Sequence, residues 1–169
     1  MTTKLSAEIT NFEASPQVVN KTQNSGGRVR VAQGTVALAT TDIDDNDIIH
    51  MAVLPAEASI VHIWLGADDM DSGSPTLAFN LGVYTTAKVV SDEDAFASAI
   101  TLGQAASTVT TDYANEARNI NEVGQKLFLD AGDTVASHDS LYYISLTVSN
   151  VAATAVAGDM SWIIEYVID

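Results

Sequence analysis

The stretch Leu77-Ala78-Phe79-Asn80-Leu81-Gly82-Val83-Tyr84 sets large apolar residues at the odd positions, with Ala78, Asn80 and Gly82 between them. Successive side chains of an extended chain point to opposite faces, so this period of two describes a strand with one buried face. Two later stretches repeat it. Tyr142, Ile144, Leu146 and Val148 alternate with Tyr143, Ser145, Thr147 and Ser149, and Trp162, Ile164, Tyr166 and Ile168 continue the pattern near the C-terminus. They are expected to be two long antiparallel strands that close the fold. Val, Ile and Thr together make up 46 of the 169 residues, a β-branched excess that favours strands over helices.

Upstream lie three less regular candidates, at 29–40, 48–54 and 60–65. In the first, Val29 and Val31 are odd while Val36 and Leu38 are even, and Gly34 stands where the phase changes, as a β-bulge requires. In the other two, Ile49, Met51, Val53 and Val61, Ile63, Leu65 form one face each. The opposite faces also hold Ile48, Leu54, Ile60 and Trp64. Strands apolar on both faces need cover on both, from a second layer, a helix or another subunit.

Two short helices are expected between strands. Ser91-Asp-Glu-Asp94 matches a capping box with an acidic first turn, followed by Ala95, Phe96, Ala99 and Ile100 at helical spacing. The second runs over 121–130, with a Glu122–Lys126 pair, Leu127 one turn after Val123, and Gly132 as a stop. Seven or eight strands joined by turns rich in Asp, Ser, Gly and Thr predict an all-β protein, a jelly-roll β-sandwich with one or two short helices inserted. An immunoglobulin-like sandwich is the alternative; it has less use for a helix-bearing excursion between Thr85 and Ser140.

Charge divides the chain in two. Lys4, Lys21, Arg28 and Arg30 stand against Glu8 and Glu13 in the first 30 residues, although the whole chain carries a formal charge of −15. Residues 1–28 therefore form an extended basic arm and 29–169 the sandwich body. Gln17, Asn20, Gln23, Asn24, Ser25, Gly26 and Gly27 give the arm no core of its own, so it is either a frayed end or a docking arm. Lys21, Arg28 and Arg30 are the candidate contacts with a partner surface. Arg28 and Arg30, two residues apart, share one face while Val29 and Val31 point inward.

An acidic body of this strength repels nucleic acid and anionic lipid. No apolar run is long enough to span a bilayer, and no export signal is expected. The absence of Cys excludes disulfides, thiolate metal sites and cysteine nucleophiles. His50 and His62, on neighbouring candidate strands, could pair across them, but neither has a carboxylate at ligand spacing. Asp42-Ile-Asp44-Asp45-Asn46-Asp47 opens like a calcium loop, yet has Val53 where the closing Glu belongs; Asp68-Asp69-Met70-Asp71 fails the same template. Both read as solvated turns. No metal site, cofactor or catalytic residue is expected, and no hydrolase, nucleotide-binding or metalloprotease motif occurs.

From Gln33 to Val167 the order of features resembles the head decoration, or cement, proteins of tailed phages. The residues that carry the resemblance are Ile48-Ile-His-Met-Ala-Val-Leu-Pro-Ala56, Ala58-Ser-Ile-Val-His-Ile63, Leu77 to Tyr84, Asp92-Glu-Asp-Ala-Phe-Ala-Ser-Ala99, Gly124-Gln-Lys-Leu-Phe128 and the two closing strands. The resemblance implies a virion protein made in the host cytoplasm and bound to the outer capsid surface. It implies the major capsid protein as partner, a homotrimer, no nucleic acid or membrane partner, and no catalysis. A carbohydrate-binding or adhesive sandwich on a virion fibre is the alternative, with Trp64, Trp162 or a Tyr as the sugar platform.

Overall fold

The computed structural model describes residues 7–19 and 28–168. Eight strands form two four-stranded sheets: β1 (Arg30–Leu38), β2 (Ile48–Pro55), β3 (Ala58–Ala67), β4 (Ala78–Thr85), β5 (Val90–Ile100), β6 (Thr111–Asp112), β7 (Leu141–Asn150) and β8 (Gly158–Ile168). One sheet has the order β1-β8-β3-β6 and the other β2-β7-β4-β5, all antiparallel. Every connection between consecutive strands except the β4–β5 hairpin thus crosses from one sheet to the other, which is the jelly-roll arrangement. The two regular strands near the C-terminus do not pair with each other. β7 lies between β2 and β4, and β8 between β1 and β3, so each is an inner strand of its own sheet, and both contribute to the core.

That core takes Phe79, Leu81 and Val83 from β4, Tyr142, Ile144, Leu146 and Val148 from β7, and Trp162 and Ile164 from β8. Its periodicity was legible because over these core residues the strands carry no surplus residue of their own; the extra residues lie in β2, β3 and β5. β2 and β3 differ. Their pairings shift between His50 and Ala52 and between Ile60 and His62. Each shift is a bulge that moves the chain by one residue, so the buried sets are Ile49, Met51, Leu54 and Ile60, Ile63, Leu65. The bulges therefore bring Leu54 and Ile60 into the core and turn Val53 outward at 47% exposure, while Ile48 and Trp64 stay outside it.

Gly34 marks no bulge. β1 pairs with β8 in one unbroken register from Arg30–Tyr166 to Leu38–Gly158. Gly34 lies opposite Trp162, and a Cβ there would stand 2.5 Å from the indole ring, so the glycine makes room for a core side chain.

The expected helix at 91–100 is instead β5, an edge strand with three register shifts against β4. Between the Leu81–Ala97 and Val83–Asp92 pairs, the surplus residues of β5 arch over the sheet, and the Asp92–Glu93 backbone rests on Gly82, where any Cβ would collide with it. The capping-box signal has a local counterpart, since the Asp94 amide donates to Asp92 Oδ1 at 3.3 Å. No helix follows, because burying both Phe96 and Ala97 beside β4 is worth more than an isolated turn. The second helix shrinks to α2 (Leu127–Asp130). Conversely, the arm expected to be extended contains helix α1 (Ala7–Glu13).

The connections β1–β2, β3–β4, β5–β6 and β7–β8 gather at one end of the sandwich. They hold seven Asp residues and no Lys or Arg. The β2–β3, β4–β5 and β6–β7 connections and the start of β1 gather at the other end. Every Lys or Arg among the described residues is there: Arg28, Arg30, Lys88, Arg118 and Lys126.

Candidate interaction surface

Of the three expected contact residues, Lys21 lies outside the described residues. Arg28 precedes β1 and Arg30 opens it, both exposed and without a carboxylate partner among the described residues. Val29 and Val31 do not point inward; they are 49% and 53% exposed. Ala32, Gly34, Val36 and Leu38 turn to the core side instead, a parity fixed by the β8 register that the sequence phase had not settled.

Four strands border the sheets, and three are poor templates for a further strand. β6 has only two residues, β5 is broken by three register shifts, and β2 carries a bulge and ends on Pro55. β1 runs nine residues in continuous register without Pro, Lys or bulge, and among the described residues pairs on one side only. Beside its C-terminal half, Val36, Leu38, Thr41, Asp42, Asp47 and Ile48 line a shallow cleft of about 360 Å³ between β1 and β2. Nothing in the residue types of 30–38 marks this as an edge; the signal was the lack of blunting residues, and it has meaning only once β1 is known to be terminal.

The acidic turns are engaged with backbone. Asp42 Oδ2 accepts from the Ala39 amide at 2.8 Å and Asp47 Oδ2 from the Asp44 amide at 2.9 Å. Buried Asp71 accepts from the amides of Thr76, Leu77 and Thr154 at 2.5, 2.7 and 3.0 Å, tying the β3–β4 and β7–β8 connections together. Burial pushes its carboxyl up, but the amides outweigh it and hold the pKa below the ordinary range. Among the described residues no group of three or more His, Asp or Glu is placed to hold a metal.

His50 and His62 lie in different sheets and cannot form the pair that adjacent strands would allow. His50 Nδ1 is 2.7 Å from the buried Ser145 Oγ, and its pKa is lowered by burial and then by Lys88. His62 Nδ1 is 2.6 Å from Asp112 Oδ2, and its ring stacks on Trp64 with centroids 4.7 Å apart. Asp112 also accepts from the amides of Ile63 and Ala114; burial raises its pKa, and His62 with these amides brings it below the usual value. Trp162 is buried against Gly34, so only Trp64 of the pair faces outward.

At the opposite end from the acidic turns, Arg118 and Asp130 form a buried ion pair beneath the long β6–β7 excursion. Gln125 donates to Asp130, Arg118 reaches Asn115, and its guanidinium lies 4.7 Å over the Phe96 ring. Except for Phe96 these residues all lie within the β6–β7 connection, yet no local motif announces them.

No protein family and no curated protein matches the sequence. Solved structures do match the fold. A chain in the cyanophage Pam1 capsid asymmetric unit superposes with a TM-score of 0.63 at 21% identity, covering 85% of this chain and 86% of that one. A chain of the Ralstonia phage GP4 capsid gives a TM-score of 0.63 at 22% identity, again over 85% and 86%. Both solved chains belong to phage capsids. At this identity the likeness establishes a shared jelly-roll architecture over nearly the whole body.

Proposed function

We propose that this protein is a non-enzymatic structural component of a tailed-phage capsid, which binds the outer surface of the shell and stabilises it as a homotrimer with the major capsid protein as its partner. The observation that carries this reading is the fold likeness to chains of two phage capsids over 85% of the sequence. Arg28 and Arg30, which have no carboxylate partner among the described residues, and the exposed Val31 after them give the body a basic and partly apolar margin that suits an acidic shell surface. With the two-faced strands explained in part by bulges, support for the trimer comes from the exposed Val53 and Leu141, on paired strands at the same end of β2 and β7.

The test is co-sedimentation with empty shells that lack the protein, with light scattering of the free protein alongside. Binding and a mass near three chains are expected. Replacing Arg28 and Arg30 by Ala should lower occupancy a few-fold, more at low salt than at high, since rim charges contribute ~1 kcal/mol or less each. Failure of the wild-type protein to bind any such shell removes the capsid reading, and a monomer removes the trimer.

A further inference from the structure

We propose that the free edge of β1 pairs antiparallel with β1 of a second copy, joining two sandwiches through a continuous eight-stranded sheet across a twofold axis.

The edge itself is the first observation. Natural sheets blunt their edges by shortness, bulges, Pro or Lys, and β2, β5 and β6 each do so. β1 does none of this over Arg30–Leu38. Nine residues of ladder without a second neighbour among the described residues are the template for strand addition, in which main-chain hydrogen bonds supply the adhesion.

Charge names the occupant. β1 begins at Arg28 and Arg30 and ends at the turn of Asp42 to Asp47. An antiparallel guest must therefore be basic at its own N-terminal end and acidic at its C-terminal end. β1 of another copy has this polarity. A twofold axis at Gly34 sets Val31 opposite Ala37 and Gln33 opposite Thr35, and carries each pair of arginines to the other copy's Asp42 turn. Asp42 and Asp47 each use one carboxylate oxygen on a turn amide and keep the other. The same operation sets the exposed Val31 of one copy beside the other's exposed Ala37 on the outer face, and its Arg30 opposite Leu38, at the mouth of the cleft lined by Val36, Leu38 and Ile48. Such a contact is isologous, so every favourable pair occurs twice.

The contact goes beyond the capsid reading and takes Arg28, Arg30 and Val31 for a second copy, so where it forms these residues are not the ones that meet the shell. On a shell it would link copies from neighbouring trimers, and in solution it joins them only as concentration rises above that at which the three-chain mass is read.

Complementary charge reversal in the full chain tests it. Arg28→Glu with Arg30→Glu, and separately Asp42→Lys with Asp47→Lys, should each weaken the twofold association about tenfold or more in sedimentation velocity, because reversed pairs repel. Mixing the two variants should restore association as a heterotypic pair, which a merely unfolded variant cannot do; circular dichroism melts show whether each is folded. In the wild type, the outward amides of 31–37 should gain hydrogen-exchange protection as concentration rises. Association indifferent to both reversals, a mixture no better than either variant alone, or protection confined to another edge overturns the proposal. Shell binding without this pairing would leave the capsid reading standing, and pairing without shell binding would do the opposite.

Discussion

The two ends of the sandwich hold their carboxylates in opposite ways. At the acidic end Asp71 is buried among backbone amides and no Lys or Arg is near in the connections; at the other end Asp130 is buried against a guanidinium. The first arrangement needs only the amide donors that any turning chain exposes, so it closes short loops within themselves and against each other. The second helps anchor a long excursion, residues 113–140, whose apolar residues are divided: Leu127 and Phe128 are buried in the core, while Ile120 and Val135 are 93% and 80% exposed. A buried charge pair is a costly anchor whose worth lies in geometry, because each member is destabilising without the other.

The sharpest way to break the comparison is Asp130→Ala, which strands the Arg118 charge in the interior. A loss of ~3–5 kcal/mol is expected, read from the urea midpoint, and pairing it with Arg118→Met should recover a large part. If the single and double variants are equally unstable, the pair is not the anchor.

Asp71→Ala should cost less, about 2–3 kcal/mol, since it deprives three amides of an acceptor but leaves no stranded charge. Faster hydrogen exchange at Thr76, Leu77 and Thr154 should accompany it. Exchange unchanged at these amides would show that water replaces the carboxylate at little cost.

The smallest effect is in the acid range. The folded pKa of Asp71 lies below that of the unfolded chain, so its contribution is present above the ordinary Asp value near ~4 and is lost as pH falls through the folded pKa. Asp112, lowered in the same sense, adds to this slope as long as the fold holds. Asp71→Asn should flatten the decline of melting temperature below about pH 4 relative to wild type. An identical decline in both proteins would assign the acid sensitivity to other carboxylates.

How far residues foretold structure can be followed strand by strand. β4, β7 and the core face of β8 were legible because over their core residues they keep a period of two with no surplus residue of their own. The arginines at the head of β1 were legible as charges, while the direction of the valines between them depended on the partner strand. The free edge, which carries the proposed contact, was not legible: Arg30–Leu38 looks the same whether one neighbour or two lie beside it.

By itself the sequence determined that the chain is a β-sandwich with an acidic body, since alternation, β-branching and charge are properties of neighbouring residues. Tertiary structure alone decided which strands share a sheet, where bulges in β2 and β3 turn one apolar set inward, and that 91–100 becomes an arched strand over Gly82. The reason is that a strand, unlike a helix, satisfies its backbone through residues far along the chain. Its register, its bulges and its free edge are therefore fixed by the partner and not by the segment.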